Sequence, residues 1–396
     1  MICTGCSCLC DDVEIRDGKI LNACYRGYKV YSKLSENRAR ALVDRREVSV
    51  DDAIEKAVEI LGQAKNPALY GFDTTTVEAQ EVAVKIAEKL NAFIDDNSSF
   101  CLGEVVEAIL KKDVPSTTLE DVRDQAYVIF YWGANPYSSA PRHMSKFTYY
   151  PRGMKRLKGY EDRFLVVVDV RRSETAKLAK KNAIFIKVES DDELVESFNL
   201  ALEGKAGKYA KEVGTVITEL KRSDFNAMFV GLGLKYGVRN LDGFFEMIRK
   251  INRVAKLYLI PSAFHSNMRG FNEVLFEKTG SINKFSFKEQ RSDKLFAFTE
   301  LLKRDEIDAV LLLGTDPLSS IPFEISKKIM RIKTVVVDPK MSLTAKIAKV
   351  VVPSAFSGFE SSGTMVRSDG VRKRLEPIEE KEVNDLWILK KISEGL

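Results

Sequence analysis

The chain has 396 residues, 45% apolar and 30% charged, with 62 basic side chains against 57 acidic and a net charge of +5. That length permits two or three domains. The nearly balanced charge, without a basic run interleaved with aromatics, excludes a nucleic-acid surface, and no stretch reaches the roughly 18 to 20 continuous apolar residues of a membrane span.

The opening residues lack the basic-then-apolar order of a signal peptide, so the expected location is the cytoplasm. Five of the six cysteines fall within the first 24 residues. Clustering of that kind in a cytoplasmic chain points to metal rather than to a disulfide framework. Cys3, Cys6, Cys10 and Cys24 place three thiolates on one tight loop and bring a fourth from a later turn, the arrangement a [4Fe–4S] cubane needs. Zinc is the competing reading, although its thiolate sites usually come as two paired knuckles. Cys8 interrupts the loop and reads as a small core residue. The rest of residues 3–47 reads as hairpins and turns, with alternation at Val13-Glu14-Ile15-Arg16 and glycines at 5, 18 and 27.

Strand and helix signals then alternate. A helix is predicted over 51–64 with Asp51 as its N-cap, a strand over 68–72, a helix over 74–92 capped by the threonine run, and a short strand from Phe93. This alternation predicts a parallel sheet covered by helices. Cys101 lies at a strand-to-helix junction, before a helix predicted over 102–112. A helix N-terminus stabilises a thiolate, yet a single cysteine there serves equally as packing.

An internal repeat organises the remainder. Residues 128–141 and 310–322 each present a buried-strand run, a glycine (Gly133, Gly314), an Asn/Asp-Pro pair (Asn135, Asp316) and Ser-Ser. Downstream, 166–169 through 175–180 matches 335–338 through 344–349 without a gap, each strand ending in an aspartate (Asp169, Asp338). Two segments repeating in the same order imply two related nucleotide-type half-folds. A glycine at a strand's end lets backbone approach a ligand, and the strand-terminal aspartate can accept hydrogen bonds from ribose or base edges. Such residues also merely close strands, but two copies in register favour one dinucleotide-like ligand per half. Arg171, Arg172, Lys340 and Lys346 follow those strands, where they can meet phosphates or form ordinary surface. The glycines of 230–237 depart from the dinucleotide fingerprint and read as a close backbone turn.

Several motifs carry a family likeness. Residues 3–12, Tyr131-Trp132-Gly133-Ala134-Asn135-Pro136, Pro141-Arg142-His143-Met144 and Pro151-Arg152-Gly153 resemble the catalytic chains of formylmethanofuran dehydrogenases. Residues 351–364 with 367–370 are similar to the pterin-binding stretch of molybdopterin oxidoreductases generally. The resemblance implies a small N-terminal Fe–S domain over 1–47 and two related Rossmann-like parallel-sheet domains, 48–100 with about 253–350 and 101–252. A pterin-binding segment over 351–396 would then return to the N-terminal domain. It also implies two molybdopterin guanine dinucleotides chelating tungsten or molybdenum, with Cys101 as protein ligand. Arg142, His143, Gly363 and Thr364 would sit at the pterins, and Arg26 or Lys29 would bridge cluster and pterin. The implied reaction is reversible reduction of CO2 to formate in methanogenesis, with His265 and Arg269 in the catalytic shell. No C-terminal β-barrel is expected in the chain. The implied partners are therefore a small pterin-covering barrel subunit, an amidohydrolase-type subunit and ferredoxin-like subunits. Two positions depart from the family pattern: Leu102 stands where a His is expected and Ala263 where an Arg is expected. They keep open a non-catalytic paralogue that relays electrons or scaffolds a complex. A different molybdopterin oxidoreductase, such as a formate dehydrogenase, fits the chain's length and Trp132–Pro136 motif less well.

Overall fold

The alternating apolar runs fold as two layered units in a computed structural model that describes every residue except Phe264. One unit comprises Met1–Gly103, His265–Arg367 and Arg372–Leu396; the other comprises Glu104–Phe264 with Ser368–Val371.

The chain begins in the first unit with an antiparallel hairpin, β1 (Glu14–Arg16) and β2 (Lys19–Leu21). Its turn residues, Asp17 and Gly18, have φ of 50° and 72°, the pattern that matches the strands' own twist. A second hairpin, β3 (Leu42–Val43) and β4 (Arg46–Glu47), joins the margin of the unit's main sheet. Residues 1–47 therefore do not stand apart as a separate domain, because their last two strands pair into that sheet. Helix Val50–Gly62 starts from Ser49 rather than from Asp51. Ser49 and Asp52 form a reciprocal capping box, which satisfies two orphan amides where Asp51 alone would satisfy one. Helix Val77–Lys89 is capped by Thr76, the last of the threonine run. Between and after these helices run β5 (Pro67–Gly71) and β6 (Phe93–Asp95), both fully buried.

The second unit holds β7 (Val128–Trp132), β8 (Phe164–Asp169), β9 (Ala183–Lys187), β10 (Asn226–Val230) and β11 (Leu257–Pro261). They form one all-parallel sheet in the order β11-β10-β7-β8-β9. This is the doubly wound order, whose switch point lies between β7 and β10. The position of β11 corrects a boundary. Residues from about 253 were expected in the other α/β domain, but β11 pairs with β10 along its whole length.

Back in the first unit come β12 (Phe285–Ser286), β13 (Arg291–Ser292), β14 (Ala309–Leu313), β15 (Lys333–Asp338) and β16 (Val350–Pro353). The nine-stranded sheet reads β13-β12-β6-β5-β14-β15-β16-β3-β4. Its five central strands are parallel, and antiparallel strands close both margins. Here the switch point falls between β5 and β14. Fully buried side chains such as Leu311, Leu313, Val335 and Val337 face one core with both flanking helices, each worth about 1.5–3 kcal/mol of burial. A last ribbon, β17 (Gly363–Val366) and β18 (Arg372–Leu375), packs Met365 and Leu375 against Ile2 and Leu9 of the cysteine loop. Among the described residues, no helix is long and apolar enough to cross a membrane.

Candidate cofactor sites

The repeat seen in the sequence recurs as a repeated loop, one copy per unit. In the second unit Gly133 adopts φ +59°, and its N–H donates to Val168 O. Asn135 then turns the chain, and its Oδ1 accepts from both the Thr175 N–H (3.1 Å) and hydroxyl (2.7 Å). In the first unit Gly314 also adopts φ +59° and donates to Val337 O. Asp316 accepts from Thr344 N (2.9 Å) and Oγ1 (2.5 Å), and from Leu343 N (3.1 Å). The two strand-terminal aspartates behave alike, Asp169 accepting from Arg171 N and Asp338 from Lys340 N. Asn135 and Asp316 thus brace the next loop of their own unit, and Gly133 and Gly314 end their strands in the left-handed region.

Each loop sits at its sheet's switch point, the place where open α/β sheets take ligands. At the β7/β10 switch a Cβ on Gly133 would lie 2.1 Å from Leu234 N, and one on Gly231 would lie 2.3 Å from Gly133 O. The glycine-rich 230–237 stretch, expected as a close turn, is the end of β10 followed by a short helix, Leu232–Gly237, with Gly231 at its N-cap. Gly231 and Gly233 let that helix start close against the Gly133 loop. At the β5/β14 switch Gly71 has φ +119° and Phe72, buried and stacked on Phe271 at 4.9 Å, has φ +78°. A positive φ at phenylalanine costs about 1–3 kcal/mol and tends to mark functional loops. Sequence reasoning missed this loop, because neither Phe72 nor the following Asp73 has a signature.

Cys101 follows a short turn, Asn97–Ser99, and precedes helix Gly103–Leu110. It is 8% exposed, and its N–H reaches the carbonyls of Asn97 (3.0 Å) and Ser98 (3.2 Å). Leu102 and Ala263 are both buried, each in its own unit, and offer neither charge nor proton.

The cysteine loop folds around its own thiols. Cys3 N–H donates to Cys10 O at 2.8 Å, and Cys24 caps the short helix Tyr25–Tyr31. Gly5 and Gly27 press against the Cys3 sulfur; a Cβ on Gly27 would meet it at 3.0 Å. Burial pushes the Cys3 thiol up, and neighbouring Cys6 and Cys24 add to the rise. The Cys6 thiol is instead pulled down to about 7, chiefly by a hydrogen bond from the Cys8 thiol, with the Cys8 backbone and Arg26 assisting against burial. Cys8 is itself 1% exposed, a buried residue whose thiol lies against that of Cys6. Among the described residues no three His, Cys, Asp or Glu converge on one metal ion. The Cys3 thiol neighbours those of Cys6 and Cys24, and Cys8 lies beside Cys6 and Cys10; a cubane asks for one thiolate per iron rather than for convergence on a single ion.

Other expected residues fall differently. His143 was expected beside a pterin phosphate. Its ring is only 2% exposed, edge-on to Phe229 at 4.7 Å and near the Tyr131 hydroxyl, so no surface is left for an anion. Arg142, just before it, is half-buried. Arg269 is buried with its Nε on Glu273 at 2.7 Å, which commits the charge expected for catalysis. His265 is 46% exposed, with Nδ1 3.4 Å from Asp73 Oδ2. Gly363 has φ +140°, and Glu78 accepts from both the Thr364 N–H (2.9 Å) and hydroxyl (2.8 Å).

Comparison with known proteins decides the family. The family model described as molybdopterin oxidoreductase matches residues 50–394. The chain belongs to that family. Within the molybdopterin oxidoreductases it is similar to the B subunit of tungsten-containing formylmethanofuran dehydrogenase 2 from Methanocaldococcus jannaschii, 32% identical over 100% of this chain and 98% of the relative. The B subunit of the same-named enzyme from Methanococcus maripaludis is 30% identical over 97% of this chain and 93% of its own. The fold is shared with a chain of the formyltransferase/hydrolase complex (FhcABCD) from Methylorubrum extorquens in complex with methylofuran. That match has a TM-score of 0.72 at 20% identity and covers 89% of this chain and 98% of that one. Acetylene hydratase from Pelobacter acetylenicus shares it too, with a TM-score of 0.65 at 12% identity over 100% of this chain and 68% of that one.

Proposed function

We propose that this molybdopterin oxidoreductase is the redox component of a formylmethanofuran-dehydrogenase-type complex and reduces CO2 reversibly to formate. In this reading Cys3, Cys6, Cys10 and Cys24 hold a [4Fe–4S] cluster, and Cys101 joins two molybdopterin guanine dinucleotides around tungsten or molybdenum. The observation that carries it is the doubled loop at two switch points, Gly133–Asn135 and Gly314–Asp316, in a chain that matches its formylmethanofuran dehydrogenase relatives along its whole length. When bound, the metal would supply two-electron chemistry and the cubane single-electron steps.

The chain's own residues would bind and orient. The Gly133–Asn135 and Gly314–Asp316 loops would line the place for a phosphate or ribose at each switch point, while Asp169 and Asp338 offer acceptors at the strand ends. Gly363 and Thr364, fixed by Glu78, would present backbone to a pterin, with Arg142 near a phosphate. Cys6, already half-inclined to the thiolate near neutral pH, is a ready ligand, and Arg26 or Lys29 would bridge cluster and pterin by charge. Proposed partners are a barrel-type small subunit, an amidohydrolase-type subunit and ferredoxin-like subunits, all in the cytoplasm of an archaeal methanogen.

A second reading has its own support. Leu102 and Ala263 are apolar and buried, and Arg269 is neutralised by Glu273. These suit a paralogue that binds the cofactors without reducing CO2. Anaerobic purification of the complex, with metal analysis, electron paramagnetic resonance and formate- or formylmethanofuran-dependent dye reduction, separates the readings. Iron with tungsten or molybdenum and dye reduction supports the first; a metallated, inert complex supports the second. A colourless complex holding only zinc would sink both.

A further inference from the structure

Three carboxylates at the β5/β14 switch of the first unit are buried almost completely: Asp73, Asp95 and Asp96, each at most 2% exposed. Asp95 is satisfied as an anion by backbone donors from Phe298 (2.8 Å) and Lys284 (3.1 Å) and by the Ser99 hydroxyl. Asp73 is not. Asp73 Oδ2 accepts from Asn97 Nδ2 at 2.5 Å, but its Oδ1 has no donor among the described residues. The Asp96 carboxyl lies within hydrogen-bonding reach of that carboxylate, beside the Asn97 N–H and the His265 ring. Asp96 itself receives the Ser98 hydroxyl at 2.5 Å and a long contact from Asn272 at 3.4 Å.

Two adjacent buried carboxyls cannot both ionise without a cost of several kcal/mol, and a single proton between them supplies the donor that Asp73 lacks. Burial raises both groups, Asp96 the further because Asp73 and Asp95 also face it; His265 and Asn97 pull Asp73 back down. The other titratable groups facing the cluster are Tyr70 from β5, whose hydroxyl donates to Asn97 Oδ1 at 2.5 Å, and Lys284 beside Asp95. Asn97 ties the cluster to the Cys101 turn. Its side chain contacts Tyr70 and Asp73, and its carbonyl accepts the Cys101 N–H. At the other end His265 touches Asp73 and is open to solvent.

We infer that Asp73 and Asp96 hold one shared proton at neutral pH and that His265 exchanges it with water, making the cluster a proton store beside the Cys101 turn. The storage stands on its own; its use rests on the CO2-reducing reading above. There the balance is CO2 + H⁺ + 2e⁻ → HCO2⁻, the two electrons coming from a reduced ferredoxin-type donor by way of the proposed cluster, so each formate made consumes one proton. The pair gives up that proton, and a proton taken from water at the His265 ring and passed to Asp73 restores it. His265, Asp73 and Asp96 act here as proton-positioning residues.

Infrared difference spectra of the purified complex test the store without turnover. The wild type should show, at neutral pH, a protonated-carboxyl stretch that shifts in D2O. Asp96→Asn, which keeps a donor toward Asp73, should lose that band, and Asp73→Asn should move its frequency. His265→Gln should keep the band but slow its exchange into D2O about 10-fold or more, the scale of a lost proton-transfer group. A wild type and Asp96→Asn with identical carboxyl regions would overturn the shared proton. So would a wild-type band that titrates away in the ordinary carboxylate range, a measurement that needs no variant to fold. Unaltered exchange in His265→Gln would overturn the gate. A complex with the band but no CO2 reduction refutes the function and leaves the store; an active complex without the band does the reverse.

Discussion

The Gly133–Asn135 loop and the Gly314–Asp316 loop follow one backbone path with different chemistry. Both glycines sit at φ +59°, and both polar caps hold a threonine from the next loop. Yet Gly133 is walled in by backbone of Gly233 and Leu234, in the short helix after β10, whereas Gly314 faces the Thr74 side chain. The second unit braces its loop with a neutral amide, the first with a carboxylate that has Asp338 close by. The comparison teaches that duplication preserved the route of the chain, while side chains set each copy's rigidity and charge.

The largest expected effect separates the walls. Gly133→Ala puts a Cβ at 2.1 Å from a main-chain nitrogen that cannot move alone, so the second unit should lose its cooperative fold. Gly314→Ala meets Thr74 Oγ1 at 2.2 Å, a side chain able to rotate away. It should cost the left-handed penalty of about 1–2 kcal/mol together with the hydrogen bond from Thr74 Oγ1 to Gly314 O, about 0.5–1.5 kcal/mol. Thermal unfolding of both variants checks this; equal losses would mean the two loops are equally confined.

The braces differ by less. Thr344→Val removes a hydroxyl donor from the Asp316 carboxylate, and bonds to charged groups are worth about 1.5–3 kcal/mol. Thr175→Val removes the same donor from the Asn135 amide, where about 0.5–1.5 kcal/mol is expected. Chemical denaturation should therefore rank Thr344→Val as the more damaging. The reverse order would place the charge of Asp316 outside the brace.

Much of this comparison was legible in the sequence because the same constraint was written twice, in register. The parallel sheets were legible too, since strands buried on both faces read as unbroken apolar runs such as 310–313 and 335–337. What escaped depends on partners far away in the chain. Asp73 gains meaning only beside Asn97, Asp96 and His265, and Phe72 shows its strained φ only in space. The edge of the second sheet at β11 was fixed by pairing with β10, not by any local pattern. His143 looked like an anion ligand because its aromatic surroundings, Tyr131 and Phe229, lie on two different strands. Ser49 and Asp51 are both competent caps, and only the reciprocal bond with Asp52 chose between them.

The smallest predicted effect concerns charge alone. Asp338 is pushed up to about 7, by burial first and then by Asp385 and Asp316, with the Lys340 N–H opposing. Unfolded, the same group titrates near 4. Between those values the folded chain binds a proton that the unfolded chain lacks, so this residue's contribution to stability falls as pH rises from about 4 to about 7. Asp338→Asn keeps an oxygen for the Lys340 N–H and removes the titration. The variant should melt a few degrees above the wild type at mildly alkaline pH, with the advantage fading toward the acid end of that window. If it melted at or below the wild type in alkaline buffer, the carboxyl of Asp338 would be solvated at its strand end. The two halves would then differ in wall and brace but not in the charge they hold in reserve.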